Sequence, residues 1–151
     1  MQSLSRRNAI RTLAILAGAP AFARWAHSIA ADKVPLAIKG YDPVAYFTVK
    51  KPVRGQPGIE YEWDERRYRF SRIEHRELFK ADPVRYAPQF PNFCAMSLTR
   101  GEIVEANPEN WLVADDRLYM FGKSIGPALF QQNLAENAAK ANQNRRLVQS
   151  K

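Results

Sequence analysis

The chain is poor in the side chains that build disulfide frameworks and metal sites. It has one cysteine, Cys94, and two histidines among 151 residues. A single cysteine excludes an internal disulfide, so its thiol is buried, paired with another chain or bound to a ligand. The sequence has no C-x-x-C, no H-x-x-x-H and no neighbouring histidines, which disfavours a structural zinc site of several Cys or His ligands.

Signatures of common enzyme classes are missing as well. No serine-centred nucleophile elbow, phosphate-binding loop or dinucleotide fingerprint occurs in the sequence. A cysteine nucleophile needs a histidine base within reach. Beyond the first 30 residues His75 is the one histidine, and it follows no catalytic signature. The sequence therefore favours a non-enzymatic protein, with thiol or redox chemistry at Cys94 as the open alternative.

Acidic residues are missing from positions 1–30, which contain four arginines. The rest of the chain holds 19 of the 23 basic residues and all 15 acidic ones, a net charge of +4. These charges are interspersed rather than clustered with aromatics, so nucleic-acid binding is not indicated. A composition of 46% hydrophobic and 25% charged residues is typical of a globular protein, and the length fits one domain.

Residues 1–30 have the layout of a secretory signal. Arg6 and Arg7 follow a serine and resemble a twin-arginine export signal. A short apolar run over 13–23 and small residues at 28–30 complete the pattern, and the run is too short to span a bilayer securely. The alternative is an ordinary basic amphipathic N-terminus. We therefore expect a signal over 1–30, periplasmic export, and a single domain over 31–151.

The remaining pattern predicts an α+β fold: two β-hairpins forming a compact sheet, packed by short helices and a longer C-terminal helix. Alternation of apolar and polar residues predicts hairpins over 59–70 and 111–121. A capping box, Ser71 to Glu74, opens a helix over 72–80 whose apolar residues include Ile73, Leu78 and Phe79. Further expected elements are a helical turn at 42–47 capped by Asp42, a strand at 102–106, a helix from Pro127, and a fraying tail at 142–151.

The segment 82–101 holds the cysteine within a rigid, proline-rich stretch. Asn92 is suited to cap a short helix that Gly101 ends in a left-handed turn. Cys94 would then lie in the first helical turn, where backbone N–H groups and the helix dipole favour a thiolate. The alternative is a strand in which Cys94 and Met96 share a face.

Soft and nitrogen ligands for a metal are few beyond the leader: Cys94, Met96, His75 and Met120. Copper(I) tolerates two or three such ligands, so a thiolate with a thioether or imidazole would suit it. Asp42 could add an oxygen ligand if residues 40–47 fold over Cys94. The sequence thus predicts copper or another soft metal ion as the possible cofactor.

Each of these residues has a plainer interpretation. His75 lies between Glu74 and Arg76 and is expected at the surface. The methionines fill cores, and Asp42 caps a helix. Cys94 itself can be a small buried hydrophobic residue.

Several segments, in the same order throughout, resemble exported proteins of the YHS-domain family. The landmarks are Gly40-Tyr-Asp-Pro-Val-Ala-Tyr-Phe47, Tyr61-Glu-Trp63, Tyr68-Arg-Phe70 with Ser71, Phe79-Lys-Ala-Asp-Pro-Val-Arg-Tyr-Ala-Pro-Gln89, Cys94-Ala95, Gly101, Pro108-Glu-Asn-Trp111 and Leu118-Tyr119. The resemblance spans roughly residues 36–140. Where many family members have a histidine before the glycine, this chain has Arg100.

The resemblance implies a small α+β domain related to modules found with metal-handling proteins, including copper transport and resistance systems. It therefore implies an exported protein that binds or handles a soft metal through Cys94. The alternative is a structural or partner-binding module with an inert, buried Cys94. The possible partners are a second copy of the chain, joined through the lone thiol or a shared metal, or another periplasmic protein.

Overall fold

The structure, a computed structural model, describes residues 34–149; the expected export signal lies outside the described residues. The elements in chain order are a 3₁₀ turn (Ala37–Gly40), α1 (Ala45–Thr48), β1 (Glu60–Trp63), β2 (Arg66–Arg69), α2 (Ile73–Ala81), α3 (Pro83–Tyr86), α4 (Ala95–Leu98), β3 (Asn107–Ala114), β4 (Arg117–Phe121), α5 (Gly126–Gln132), α6 (Leu134–Gln143) and α7 (Arg146–Gln149). This is the α+β class that the sequence predicts. Within the described range, no helix is long and apolar enough to cross a bilayer.

Two antiparallel hairpins, β1–β2 and β3–β4, supply the strands. Each turns through two acidic residues with positive φ, Asp64-Glu65 and Asp115-Asp116. The expectation of one sheet is wrong, because the hairpins form two separate two-stranded sheets. Coil segments take the outer edges instead: Leu36 bridges to Arg67 on β2, and Pro88 bridges to Leu118 on β4.

The second hairpin separates two hydrophobic cores. Successive side chains of a strand point to opposite faces, and β4 follows this rule: Leu118 and Met120 pack in the first core, Tyr119 and Phe121 in the second. The first core also contains α1, α2 and the β1–β2 hairpin; its largest fully buried members include Tyr46, Tyr68, Phe70 and Phe79. The second core contains Phe90, Cys94, Leu98, Phe130, Ala141 and Val148.

Helix α2 is present, but its buried face differs from expectation. Ile73 and Leu78 are 57% and 42% exposed, whereas His75 and Phe79 are buried. Residues four apart lie on one helical face, so the buried stripe runs through His75 and Phe79. The expected capping box does not form: the helix N-cap is Arg72, without a side-chain cap, and the Ser71 hydroxyl donates to Asp42.

The C-terminal half departs from the sequence pattern at three places. The expected single helix is broken at Asn133 (φ −135°, ψ 57°) into α5 and α6. The expected strand at 102–106 is reduced to one bridge, Phe93 to Glu105. The tail does not simply fray, because α7 forms and buries Val148 in the second core.

Candidate functional site

A buried carboxylate, Asp42, joins three segments of the first core. Its Oδ1 accepts the backbone N–H of Val44 at 2.9 Å and of Ala45 at 3.3 Å. Its Oδ2 accepts the Ser71 backbone N–H at 2.8 Å and the Ser71 hydroxyl at 2.6 Å. The Nδ1 atom of His75 lies 2.6 Å from the same Oδ2. With Asp42 fully buried, these contacts replace the water that its charge would otherwise require.

Local sequence explains how Asp42 reaches this position. An aspartate before proline accepts from backbone N–H groups two and three residues ahead, which starts α1. This is the capping role expected from the sequence, and it is present. The Asp42 backbone N–H donates to Val53 O at 2.8 Å, which fixes the other side of the turn. The second carboxylate oxygen is thereby directed at the β2–α2 junction, where Ser71 lies.

His75 is buried, and the expectation of a surface histidine is wrong. An ionised carboxylate only accepts hydrogen bonds, so Nδ1 carries the proton that faces Asp42. The other ring nitrogen, Nε2, lies 3.2 Å from the Thr48 hydroxyl, which also contacts Val44 O at 3.0 Å. Both ring nitrogens of His75 therefore have partners within the protein, and the ring connects α2 to the end of α1.

Hydroxyl, histidine and aspartate groups meet here without an activated nucleophile. The Thr48 hydroxyl lies on the Nε2 side of His75, opposite Asp42, but it donates to Val44 O instead of to the ring. The Ser71 hydroxyl donates to Asp42 rather than to the histidine. It lies 3.5 Å from Nδ1, the ring nitrogen that already faces the carboxylate. Nucleophilic catalysis needs the hydroxyl on one ring nitrogen and the acid on the other. The arrangement can hold three segments together, and it does not prepare Ser71 for attack.

The aromatic residues of the same segment are also held by the core. The Tyr46 hydroxyl donates to Pro108 O at 3.0 Å, and its ring packs on Trp111 with centroids 5.2 Å apart. Burial is the main reason that the pKa of Tyr46 is raised far above its ordinary value of 10.0. The hydrogen bond from this neutral phenol to a buried carbonyl is a structural contact that joins α1 to β3.

Cys94 lies at the start of α4 but is almost closed to solvent. It is the N-cap residue, its backbone N–H donates to Val104 O at 2.8 Å, and the residue is 6% exposed. Phe90 and Phe121 belong to the same buried core. The prediction of a helix in this segment is confirmed over the strand alternative, although Cys94 lies one position before the first helical residue.

Asn92 does not cap α4, contrary to expectation. Its side chain accepts the Ile38 backbone N–H at 2.6 Å and donates to Leu36 O at 3.1 Å. These bonds hold Ile38 at φ 50°, a conformation that β-branched residues strongly disfavour. The expected left-handed end at Gly101 is observed, with φ 72°. Asn92 therefore fastens the N-terminal end of the domain to the cysteine segment.

The proposed metal ligands are distributed over different parts of the fold. Cys94 and the half-buried Met96 belong to the second core. Met120 belongs to the first core, on the opposite face of β4. Asp42 and His75 are paired with each other and with Ser71. Among residues 34–149, no group of three or more His, Cys, Asp or Glu side chains is arranged to hold a metal ion.

The site with the most converging polar groups is thus the Asp42 network, defined here as Asp42, Ser71, His75 and Thr48. It was missed by sequence reasoning as a unit, although Asp42 and Ser71 were both noted. The position of the Asp42 network in the core favours a structural function for its residues. Comparisons with models of protein families, with curated proteins and with solved structures gave no match to this chain.

Proposed function

We propose that this chain is an exported, non-catalytic accessory domain of the YHS type that acts by binding a protein partner. The proposal rests on the contacts of Asp42 and Tyr46, two residues of the segment 40–47 that resembles the YHS family. Asp42 is satisfied by five protein donors, and Tyr46 is bound to Pro108 and packed on Trp111. Because the polar groups of these residues are used in contacts within the protein, their role is structural. We therefore assign function to the surface of the domain.

The burial of Cys94 supports the same proposal. A reactive or ligating thiol needs access and a polar or positive environment. Cys94 instead packs in the core of Phe90, Phe121 and Phe130. A thiol in such a place behaves as a small hydrophobic residue. In an exporting cell this placement also protects it from oxidation and from pairing with other thiols.

Soft-metal binding at Cys94 is the competing proposal, and Met96 is its best second ligand because both residues lie in the second core. Binding there would require the core to open, since Cys94 is 6% exposed. His75 could join only by giving up its contact with Asp42. The free-energy cost of opening the second core and of breaking the His75–Asp42 contact favours the accessory-domain proposal.

A copper(I) titration separates the two proposals. Reduced protein and its Cys94→Ser variant are titrated anaerobically with Cu(I) against a competing chromophoric chelator. We expect the two proteins to withdraw equal amounts of Cu(I), because the buried thiol contributes nothing. Tighter binding by the parent protein, with one Cu(I) per chain, would establish the metal-handling function and overturn the accessory-domain proposal.

A further inference from the structure

Arg145 is held in a fixed orientation with part of its hydrogen-bonding capacity unused. Its guanidinium lies over the Phe90 ring, 4.9 Å from the centroid. Its Nε and Nη2 donate to Asn142 Oδ1 at 3.2 and 2.7 Å, and its Nη1 donates to Gln89 O at 2.8 Å. A guanidinium has five N–H donors, so one N–H on each Nη atom remains. Charged N–H donors of this kind bind carboxylate and phosphate oxygens strongly.

A second guanidinium is attached to the same glutamine. Arg117 Nη1 donates to Gln89 Oε1 at 3.2 Å. Because this oxygen faces Arg117, the amide NH₂ of Gln89 is left as a further donor. Arg117 and Arg145 are therefore neighbours, joined through Gln89, whose amide NH₂ adds a donor between them.

The nearby acidic groups do not neutralise this pair. Asp116 is bound to Arg85 at 3.0 Å. Within the described part of the chain, no carboxylate comes within salt-bridge distance of Arg117 or Arg145. Partial burial, then the charge of Arg117, lowers the pKa of Arg145, while Asp64 acts in the opposite direction. The two cations repel each other, and Asp64 offsets this only from beyond salt-bridge distance, so a bound anion would relieve the repulsion.

We propose that Arg117, Arg145 and Gln89 form a binding site for an oxyanion group of the carboxylate or phosphate type. The remaining Nη N–H groups of Arg145 donate to oxygens of the group, and Arg117 and the Gln89 amide supply charge and further donors. The site is formed by β4, the Pro88–Phe90 coil and the turn between α6 and α7. It does not depend on the function proposed above.

The test is a titration of the purified full chain at low ionic strength, monitored by NMR through the arginine Nε–H signals. Inorganic phosphate is used in one arm and succinate in the other, so that the preferred anion is identified. We expect saturable shifts of the Arg145 signal in at least one arm. Arg117→Gln removes an exposed charge and should weaken binding about tenfold or more, as loss of a charged hydrogen bond predicts.

Two further variants decide between a site and a general electrostatic effect. Arg145→Lys keeps the charge but loses the fork, and it should also weaken binding about tenfold. Arg146→Gln removes the same charge one residue along, from an exposed side chain, and should leave affinity within about twofold of the parent chain. The proposal is overturned if neither anion gives saturable shifts, or if Arg117→Gln and Arg146→Gln weaken binding equally.

Discussion

Asp42→Asn is expected to remove about 2–6 kcal/mol from the free energy of unfolding, because at least two buried donors lose their acceptor at about 1–3 kcal/mol each. The amide has one acceptor oxygen and an NH₂ group where Asp42 has two acceptors. That NH₂ would face either the Val44 and Ala45 N–H groups or the donors from Ser71 and His75. Small domains have about 5–15 kcal/mol in total, so the variant should unfold at a much lower urea concentration than the parent chain. Urea unfolding followed by tryptophan fluorescence measures the loss.

Asp82→Asn is the matched control for this substitution. Asp82 also accepts a backbone N–H at the start of a helix, from Arg85 at 3.2 Å, but it is exposed. Asparagine caps helices about as well as aspartate, so the control should change stability by less than about 0.5 kcal/mol. If the two variants lose equal stability, the Asp42 network is not the organising contact of the first core.

Phe79→Ala is expected to cost about 3–5 kcal/mol, the range for truncating a buried phenylalanine. The ring is fully buried and lies 4.6 Å from Tyr68 and 5.3 Å from Phe70, centroid to centroid. Tyr61 and Trp63 of β1 also pack on it. Loss of the ring would leave a cavity between α2 and the first hairpin, and aromatic side chains around it collapse poorly. Thermal and urea unfolding both report the loss.

Leu78→Ala is the control for Phe79→Ala, since it truncates the next residue of the same helix. Leu78 is 42% exposed, so only part of its side chain leaves water on folding, and the cost should be about 1–2 kcal/mol. The sequence pattern identified both residues only as apolar members of the helix. A cost at Leu78 equal to that at Phe79 would mean that the helix packs through a different face from the one described.

Elements defined by local pattern were predictable, and those defined by long-range partners were not. The hairpins follow from alternation within a few residues, which is why β1, β2 and β4 were placed nearly correctly. The buried face of α2 depends on where Asp42 lies, 33 residues before His75. A histidine flanked by charged residues gives no local sign of such a partner.

The polar residues at helix starts show the same limit. Ser71 and Asn92 both fit local capping rules, yet Ser71 bonds to a residue 29 positions away, and Asn92 to residues 54 and 56 positions away. A side chain has few hydrogen-bonding groups, so a buried long-range partner displaces the local cap. At Cys94 the start of the helix was predictable, but the aromatic residues of its core come from three separate segments, which no local pattern brings together.

Alkylation of Cys94 tests most directly the claim that the folded domain encloses this thiol and leaves it unreactive. The full chain is treated with iodoacetamide at one pH in buffer and in denaturant, and modification is followed by intact mass. The closed core predicts that the native protein is modified on the order of a thousandfold more slowly, because the thiol reacts only when the domain opens. Modification of the native protein at nearly the unfolded rate would show an accessible thiol and contradict the account.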